Sequence, residues 1–208
     1  MNFIELCKKF GTDKHGHEYD RIYNDKFKML REKELLIIEI GVFKGASLSV
    51  LSSYFQNSVI VGLDINEDAA QYEDKKRRIN VRIGNQTDNK FLQSVIDEFG
   101  NPDIVIDDGS HICRDVIGTF EYLWNSLNRS GLYIVEDTHT SYDPTGFYHA
   151  TGEITTMQYF FMGAHSINQN IIRKRWVNPV NIHPEYSKFK DLESVDFRRK
   201  VISLSKKE

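Results

Sequence analysis

The sequence predicts an α/β protein built on a doubly wound, mainly parallel sheet. Three observations predict it. Short β-branched apolar runs alternate with helix-length stretches from residue 35 to residue 137, the pattern of repeated β-α units. Two of these runs, Ile104-Val105-Ile106 and Leu132-Tyr133-Ile134-Val135, are apolar throughout, as in strands buried on both faces. Each ends in a pair of carboxylates, Asp107-Asp108 and Glu136-Asp137.

Taken in order, two helical stretches open the chain at 2–9 and 19–33, joined by Gly11-Thr12-Asp13-Lys14-His15-Gly16-His17-Glu18-Tyr19. Strands are expected at 35–40, 59–63 and 80–83, separated by helices at 46–55 and 67–77. The next helix, 89–99, places Phe91, Leu92, Val95, Ile96 and Phe99 on one face. The two carboxylate-ended runs follow as strands four and five, with a helix at 115–128 between them. That strand–helix–strand unit makes them parallel neighbours. After Asp137 the alternation breaks. Residues 138–152 hold Gly, Pro, Thr and Ser with Tyr142, Phe147 and Tyr148, the make-up of a long ordered loop or lid. A helix is expected at 154–172, and beyond Trp176 the only strand-like run is Val201-Ile202-Ser203-Leu204. The expected organisation is one domain: a helical cap at 1–34, a cofactor-binding β/α core at 35–137, and a lid loop, helix and tail at 138–208.

Bulk properties narrow the function classes. A chain of 208 residues suits one such domain with a proper core, and 40% hydrophobic and 27% charged residues are ordinary for a soluble protein. A net charge of −3 gives no basic footprint for nucleic acid. The clusters Lys75-Lys76-Arg77-Arg78 and Arg173-Lys174-Arg175 read as solvated faces. No run approaches the ~20 apolar residues of a membrane span, and the N-terminus has no signal-peptide core. Cys7 and Cys113 are too few for a disulfide framework, and the acids around Cys113 raise rather than lower a thiol pKa. A cytoplasmic location is expected.

The carboxylates carry the chemistry. Neighbouring strands lie about 4.8 Å apart, so Asp107, Asp108, Glu136 and Asp137 crowd one sheet edge with His111 and His139 beside them. Charges that close repel unless some are protonated or a cation sits among them. The cluster points to a metal site.

The same edge suits a nucleoside cofactor. Strand one ends in Glu39-Ile40-Gly41-Val42-Phe43-Lys44-Gly45, where Gly41 permits a sharp turn and Gly45 opens a helix. Strand two ends in Asp64, placed to take the two hydroxyls of a ribose. The dinucleotide fingerprint lacks its middle glycine, which argues against NAD. The spacing E-x-G-x-x-x-G with a downstream acid has the shape of an S-adenosylmethionine site. Glu39 reads also as a strand-end acid held by backbone amides, and Gln86, in Gly84-Asn85-Gln86-Thr87-Asp88, as an adenine contact or a polar turn residue.

Over residues 11–150 the chain resembles the class I S-adenosylmethionine-dependent, metal-dependent sugar O-methyltransferases related to the mycinamicin and tetracenomycin rhamnose methyltransferases. It is more distantly similar to cephalosporin hydroxylase-like proteins. The residues that carry the resemblance are Gly11-Thr12-Asp13-Lys14 with Tyr19, Glu39-Ile40-Gly41-Val42 with Gly45-Ala46-Ser47-Leu48, and Gly62-Leu63-Asp64-Ile65. They continue with Gly84-Asn85-Gln86, Ile106-Asp107-Asp108-Gly109-Ser110-His111 and Val135-Glu136-Asp137-Thr138-His139-Thr140-Ser141-Tyr142.

The resemblance implies a Rossmann-like class I methyltransferase fold and methyl transfer to a sugar-like hydroxylated substrate. It implies that Asp108, Glu136 and Asp137 hold Mg2+ and that His111 is the general base. It also makes the Gly11-to-Tyr19 segment, with Thr12, part of the cofactor site. Asp107 should face away from Asp108, toward the adenosyl group or its anchoring backbone. His139 stands as a second base, a substrate contact or a loop histidine. The family ends in an antiparallel strand pair, of which the sequence shows at most one strand. The C-terminal hairpin is therefore expected to be reduced or absent, leaving strand five as an edge that a homo-oligomer or the 154–172 helix would cover. Two other readings remain: a silent protein of the same fold, and an oxidoreductase on a Rossmann-like sheet.

Overall fold

In a computed structural model of the chain, residues 1–173 and 184–208 are described. Seven strands form one sheet in the order β3-β2-β1-β4-β5-β7-β6. They are β1 (Leu36–Ile40), β2 (Val59–Asp64), β3 (Ile79–Ile83), β4 (Ile104–Asp107), β5 (Leu132–Val135), β6 (Leu192–Arg198) and β7 (Val201–Lys206). The first five are parallel, and β7 runs antiparallel to both β5 and β6. The order reverses between β1 and β4, the switch point where α/β sheets bind ligands.

Helices α1 (Phe3–Phe10), α2 (Tyr19–Phe27) and α3 (Ala46–Tyr54) accompany one face of the sheet. Helices α4 (Asn89–Phe99), α5 (Cys113–Ser126) and α6 (Thr156–Arg173) accompany the other. Alternation along each strand divides the core between them. Ile37, Ile104, Ile106, Leu132 and Ile134 pack toward α1–α3, whereas Ile38, Ile40, Val105, Tyr133 and Val135 pack toward α4–α6. Local signals set the ends. Asn2 caps α1 in a capping box with Glu5, Gly11 closes it in the left-handed region, and Asp88 caps α4.

Three expectations are corrected. The terminal hairpin is present: β7 pairs with β5 from Leu132↔Ser205 to Val135↔Ile202, so β5 is no edge. Its two-residue turn, Arg199-Lys200, lacks the Gly or Asn that advertises a hairpin, and Lys200 itself takes the left-handed conformation (φ +65°). The exposed outer strand carries Glu193, Asp196 and Arg198, charges that discourage further pairing. The second correction is at 67–77. Two 3-10 turns, Glu67–Tyr72 and Lys75–Arg77, replace the expected α-helix, with Asp74 capping the second through the Lys76 and Arg77 amides. The opening of the chain is also shorter in helix than expected, α2 ending at Phe27. Lys174, Arg175, Trp176 and Pro179 lie outside the described residues.

Candidate active site

Register assembles the site. Ile40, Asp107 and Val135 are paired across β1, β4 and β5. The next residues, Gly41, Asp108 and Glu136, therefore share the α1–α3 face with Glu39 two residues back. Gly41 is required: its φ is +91°, and an added Cβ would stand 2.0 Å from the Asp108 carbonyl oxygen. The β1 turn and the β4 end are pressed together at that point.

On this face one lysine meets three strand ends. A 3-10 turn at Asp13–His15, capped by Thr12, carries Lys14 under the cluster. Its Nζ lies 2.6 Å from Glu136 Oε1, 2.7 Å from Asp108 Oδ2 and 3.3 Å from Glu39 Oε1. Lys14 is only 2% exposed. Burial pushes its ammonium pKa down, but Asp108, Glu136 and Glu39 outweigh that and hold it well above the lysine range. Burial and Asp108 push the Glu136 carboxyl upward against the pull of Lys14. Tyr23 also donates its hydroxyl to Glu136 Oε1. Glu39 is fully buried, accepts from Ser47 at 2.6 Å, and keeps Oε2 without a hydrogen-bond partner. Burial raises its pKa as well.

Asp137 leaves strand geometry, with φ at +51° in the left-handed region. That turn swings its carboxylate out of the strand alternation and onto the solvent side of the cluster. Tyr19 donates to Asp137 Oδ1 at 2.5 Å, and His111 Nε2 stands 3.6 Å from Asp137 Oδ2. His111 is also left-handed, φ +58°. Its backbone is secured by Thr140, which donates its hydroxyl to the His111 carbonyl at 3.2 Å, while Ser110 Oγ accepts from the Ile112 amide. Two non-glycine residues in this region at one site represent local strain held by their surroundings. Among the described residues, Asp108, His111 and Asp137 each offer a ligand atom within 4.8 Å of one another. His139 Nδ1 lies 3.6 Å from Asp137 Oδ1 with its side chain about half exposed.

The remaining predicted residues separate into two groups. Asp64 stays at the open edge, where Oδ2 accepts from the Val42 and Phe43 amides at 2.9 and 3.1 Å and Oδ1 from Asn66 at 2.9 Å. Phe43 and Ile65 flank it, 74% and 71% exposed. Gly45, φ +71°, presses against the Tyr72 ring and starts α3. Asp107 and Gln86 lie on the other face. Asp107 is 1% exposed, beside Gln86 Nε2, the Gly109 amide and the Tyr133 hydroxyl, each at 3.4 Å. Burial pushes its pKa up to about 7 against those hydrogen bonds. Gln86 braces the β4 loop, its amide donating to Thr119 at 3.1 Å and its carbonyl accepting from Ser110 N at 2.8 Å. Lys14, Tyr19 and Tyr23 are the site residues that roles read from sequence did not single out. The only signal for Lys14 and Tyr19 was that the Gly11–Tyr19 segment belongs to the resembling stretch, and Tyr23 had none.

Residues 38–138 match the family model described as a methyltransferase domain. Over those residues the chain is similar to the methyltransferases. A Streptomyces olivaceus 8-demethyl-8-alpha-L-rhamnosyl tetracenomycin-C 2'-O-methyltransferase is 37% identical over 147 residues, 67% of this chain and 38% of that protein. A Micromonospora griseorubida mycinamicin VI 2''-O-methyltransferase is 36% identical over 149 residues, again 67% of this chain and 37% of that protein. Among solved structures, the MycE methyltransferase from the mycinamycin biosynthetic pathway, in complex with Mg and SAH, aligns over all of this chain with a TM-score of 0.87 and 27% identity. This chain covers 55% of that structure, so it spans about half the length of its solved relative and less of the curated ones. No described helix is long and apolar enough to cross a membrane.

Proposed function

We propose that the protein is an S-adenosylmethionine-dependent O-methyltransferase acting on a hydroxyl of a sugar or glycosylated metabolite, with Mg2+ at the carboxylate cluster. One observation carries this reading: Asp108, His111 and Asp137 converge at the strand ends beside the Gly41 turn. The names of the relatives, and the Mg and SAH in the solved neighbour, support it.

The residues present fit both groups. Asp108 and Asp137 offer the hard oxygens magnesium prefers, and the resemblance adds Glu136 as a third ligand. Glu39 keeps a buried Oε2 without a partner among the described residues, and Asp64, with Phe43 and Ile65 exposed beside it, offers polar and apolar surface to an adenosyl group. When bound, S-adenosylmethionine supplies an electrophilic methyl and magnesium acidifies the acceptor hydroxyl.

The chain's own residues do the rest. His111 Nε2 faces the cluster and takes the acceptor proton, a contribution of about 10²–10⁴-fold for such a base. The Asp137 carboxylate beside it stabilises the imidazolium that forms. Tyr19 holds the other oxygen of Asp137, which fixes the orientation of the pair. Loop 138–152 is anchored across the start of α5 by the Cys113 amide, which donates to the Tyr148 carbonyl at 2.8 Å. Tyr142 and Phe147 remain exposed on it, available to a sugar face.

Calorimetric titration of S-adenosylmethionine into chelator-treated protein, with and without magnesium and with NAD as control, tests the reading. Micromolar binding of S-adenosylmethionine and none of NAD is expected, followed by methyl transfer to glycosylated acceptors that chelation abolishes. No S-adenosylmethionine binding in either condition would overturn it.

A further inference from the structure

The resemblance assigns Glu136 to a metal, yet in the structure its Oε1 belongs to Lys14 and Tyr23, and its side chain is 1% exposed. The group open to solvent is instead Asp108, His111 and Asp137. Asp108 bridges the two arrangements, giving Oδ2 to Lys14 while belonging to the open group. An ammonium and a divalent cation that share the same carboxylates repel each other, and in a buried pocket that repulsion is poorly screened.

We propose that Lys14 is a tethered cation of the pocket that competes with the divalent metal for Asp108 and Glu136. It is a positioning residue: it holds the carboxylates until the metal arrives, and gives up Glu136 when the metal's shell is completed. This rests on the cation-binding reading of the cluster above.

The argument has three parts. First, the pocket needs a cation. Glu39, Asp108 and Glu136 share one sheet face, and Lys14 Nζ contacts all three within 3.3 Å. Isolated charges so deeply buried are otherwise very costly. Second, no other lysine or arginine pairs with these acids among the described residues. The remaining polar contacts are the hydroxyls of Ser47 and Tyr23. Third, Lys14 rides on a segment able to yield. The 3-10 turn Asp13–His15 is a single turn, followed by Glu18 in the left-handed conformation before α2 begins. Such a short turn has few hydrogen bonds to lose when it shifts. Metal loading and the seating of residues 12–16 are thereby coupled through one ammonium group.

The test does not need turnover. Magnesium is titrated calorimetrically into chelator-treated wild-type protein and Lys14→Met. Competition predicts that the variant binds magnesium at least about tenfold more tightly, since a buried like charge has been removed. In parallel, amide hydrogen exchange of residues 12–16 is followed in the wild type, which requires no variant to fold. Competition predicts faster exchange there on saturation with magnesium. Wild-type protein that binds magnesium while Lys14→Met binds no more tightly overturns the proposal alone. So does slower or unchanged exchange at 12–16. Absence of magnesium binding in both proteins removes the metal reading, and this proposal with it.

Discussion

Asp107 and Asp108 are neighbours in sequence and opposites in structure. Asp108 points to the α1–α3 face, is partly exposed, and shares a lysine with Glu39 and Glu136. Asp107 points to the α4–α6 face, has no cation among the described residues, and sits among Gln86, Tyr133 and the Gly109 amide with its pKa pushed up to about 7. Two carboxylates one residue apart, Asp108 partly exposed and Asp107 buried, thus meet the cost of desolvation differently, one by pairing and one by holding a proton more readily. The difference separates chemistry from scaffolding. The paired side opens to solvent through Asp108, Asp137 and His111, while the unpaired side stiffens the β4 loop that presents them.

The largest effect is expected on the open side. His111→Asn keeps a residue tolerant of left-handed φ but removes the proposed base, and kcat should fall by about 10²–10⁴-fold. Steady-state methyl transfer at saturating magnesium measures this, with the melting temperature little changed. An unaltered kcat would move the base elsewhere, His139 being the next candidate.

Next comes the pairing itself. Lys14→Met leaves the buried Glu39 and Glu136 and the partly exposed Asp108 without their cation, and the metal-free protein should lose about 3–5 kcal/mol in denaturant unfolding. A loss under 1 kcal/mol (the scale of an exposed ion pair) would mean that the three contacts carry little.

Asp107 offers the complementary measurement. Its folded pKa lies above that of an unfolded aspartate, so its favourable contribution is complete below about pH 4. That contribution is lost as pH rises through about 7. In chelator-treated protein, wild type should therefore weaken relative to Asp107→Asn between those limits and run parallel above them. Parallel stability profiles across the whole range would show that Asp107 ionises normally.

The smallest effect is at the hairpin that caps β5. Lys200→Gly relieves a left-handed side-chain residue and should stabilise by about 1 kcal/mol, read as a higher unfolding midpoint. Destabilisation instead would show that the Lys200 side chain supports the turn.

Much of this was legible in the sequence because it depends on local pattern. Apolar runs and helical periodicity placed β1 to β5, α4 and α5 within a few residues of their observed bounds. Alternation along a strand also separated Asp107 from Asp108 before any coordinates. Asp137, next to Glu136, leaves that alternation by turning left-handed. The terminal hairpin was hidden for an equally local reason: its turn is Arg199-Lys200, and its outer strand is half exposed and charged. Residues 67–77 satisfied a helical pattern, but the cap at Asp74 splits them into two short turns.

By itself, then, the sequence determined the β-α order, the acidic strand ends and the glycine turn at the cofactor edge, because each follows from neighbours in the chain. Only the tertiary structure decided which carboxylates share a cation. Lys14 looks like any lysine in a polar loop, and its partners Glu39, Asp108 and Glu136 become neighbours only through parallel pairing of β1, β4 and β5. Electrostatic pairing depends on distance through space and on burial, and neither is written in the order of residues.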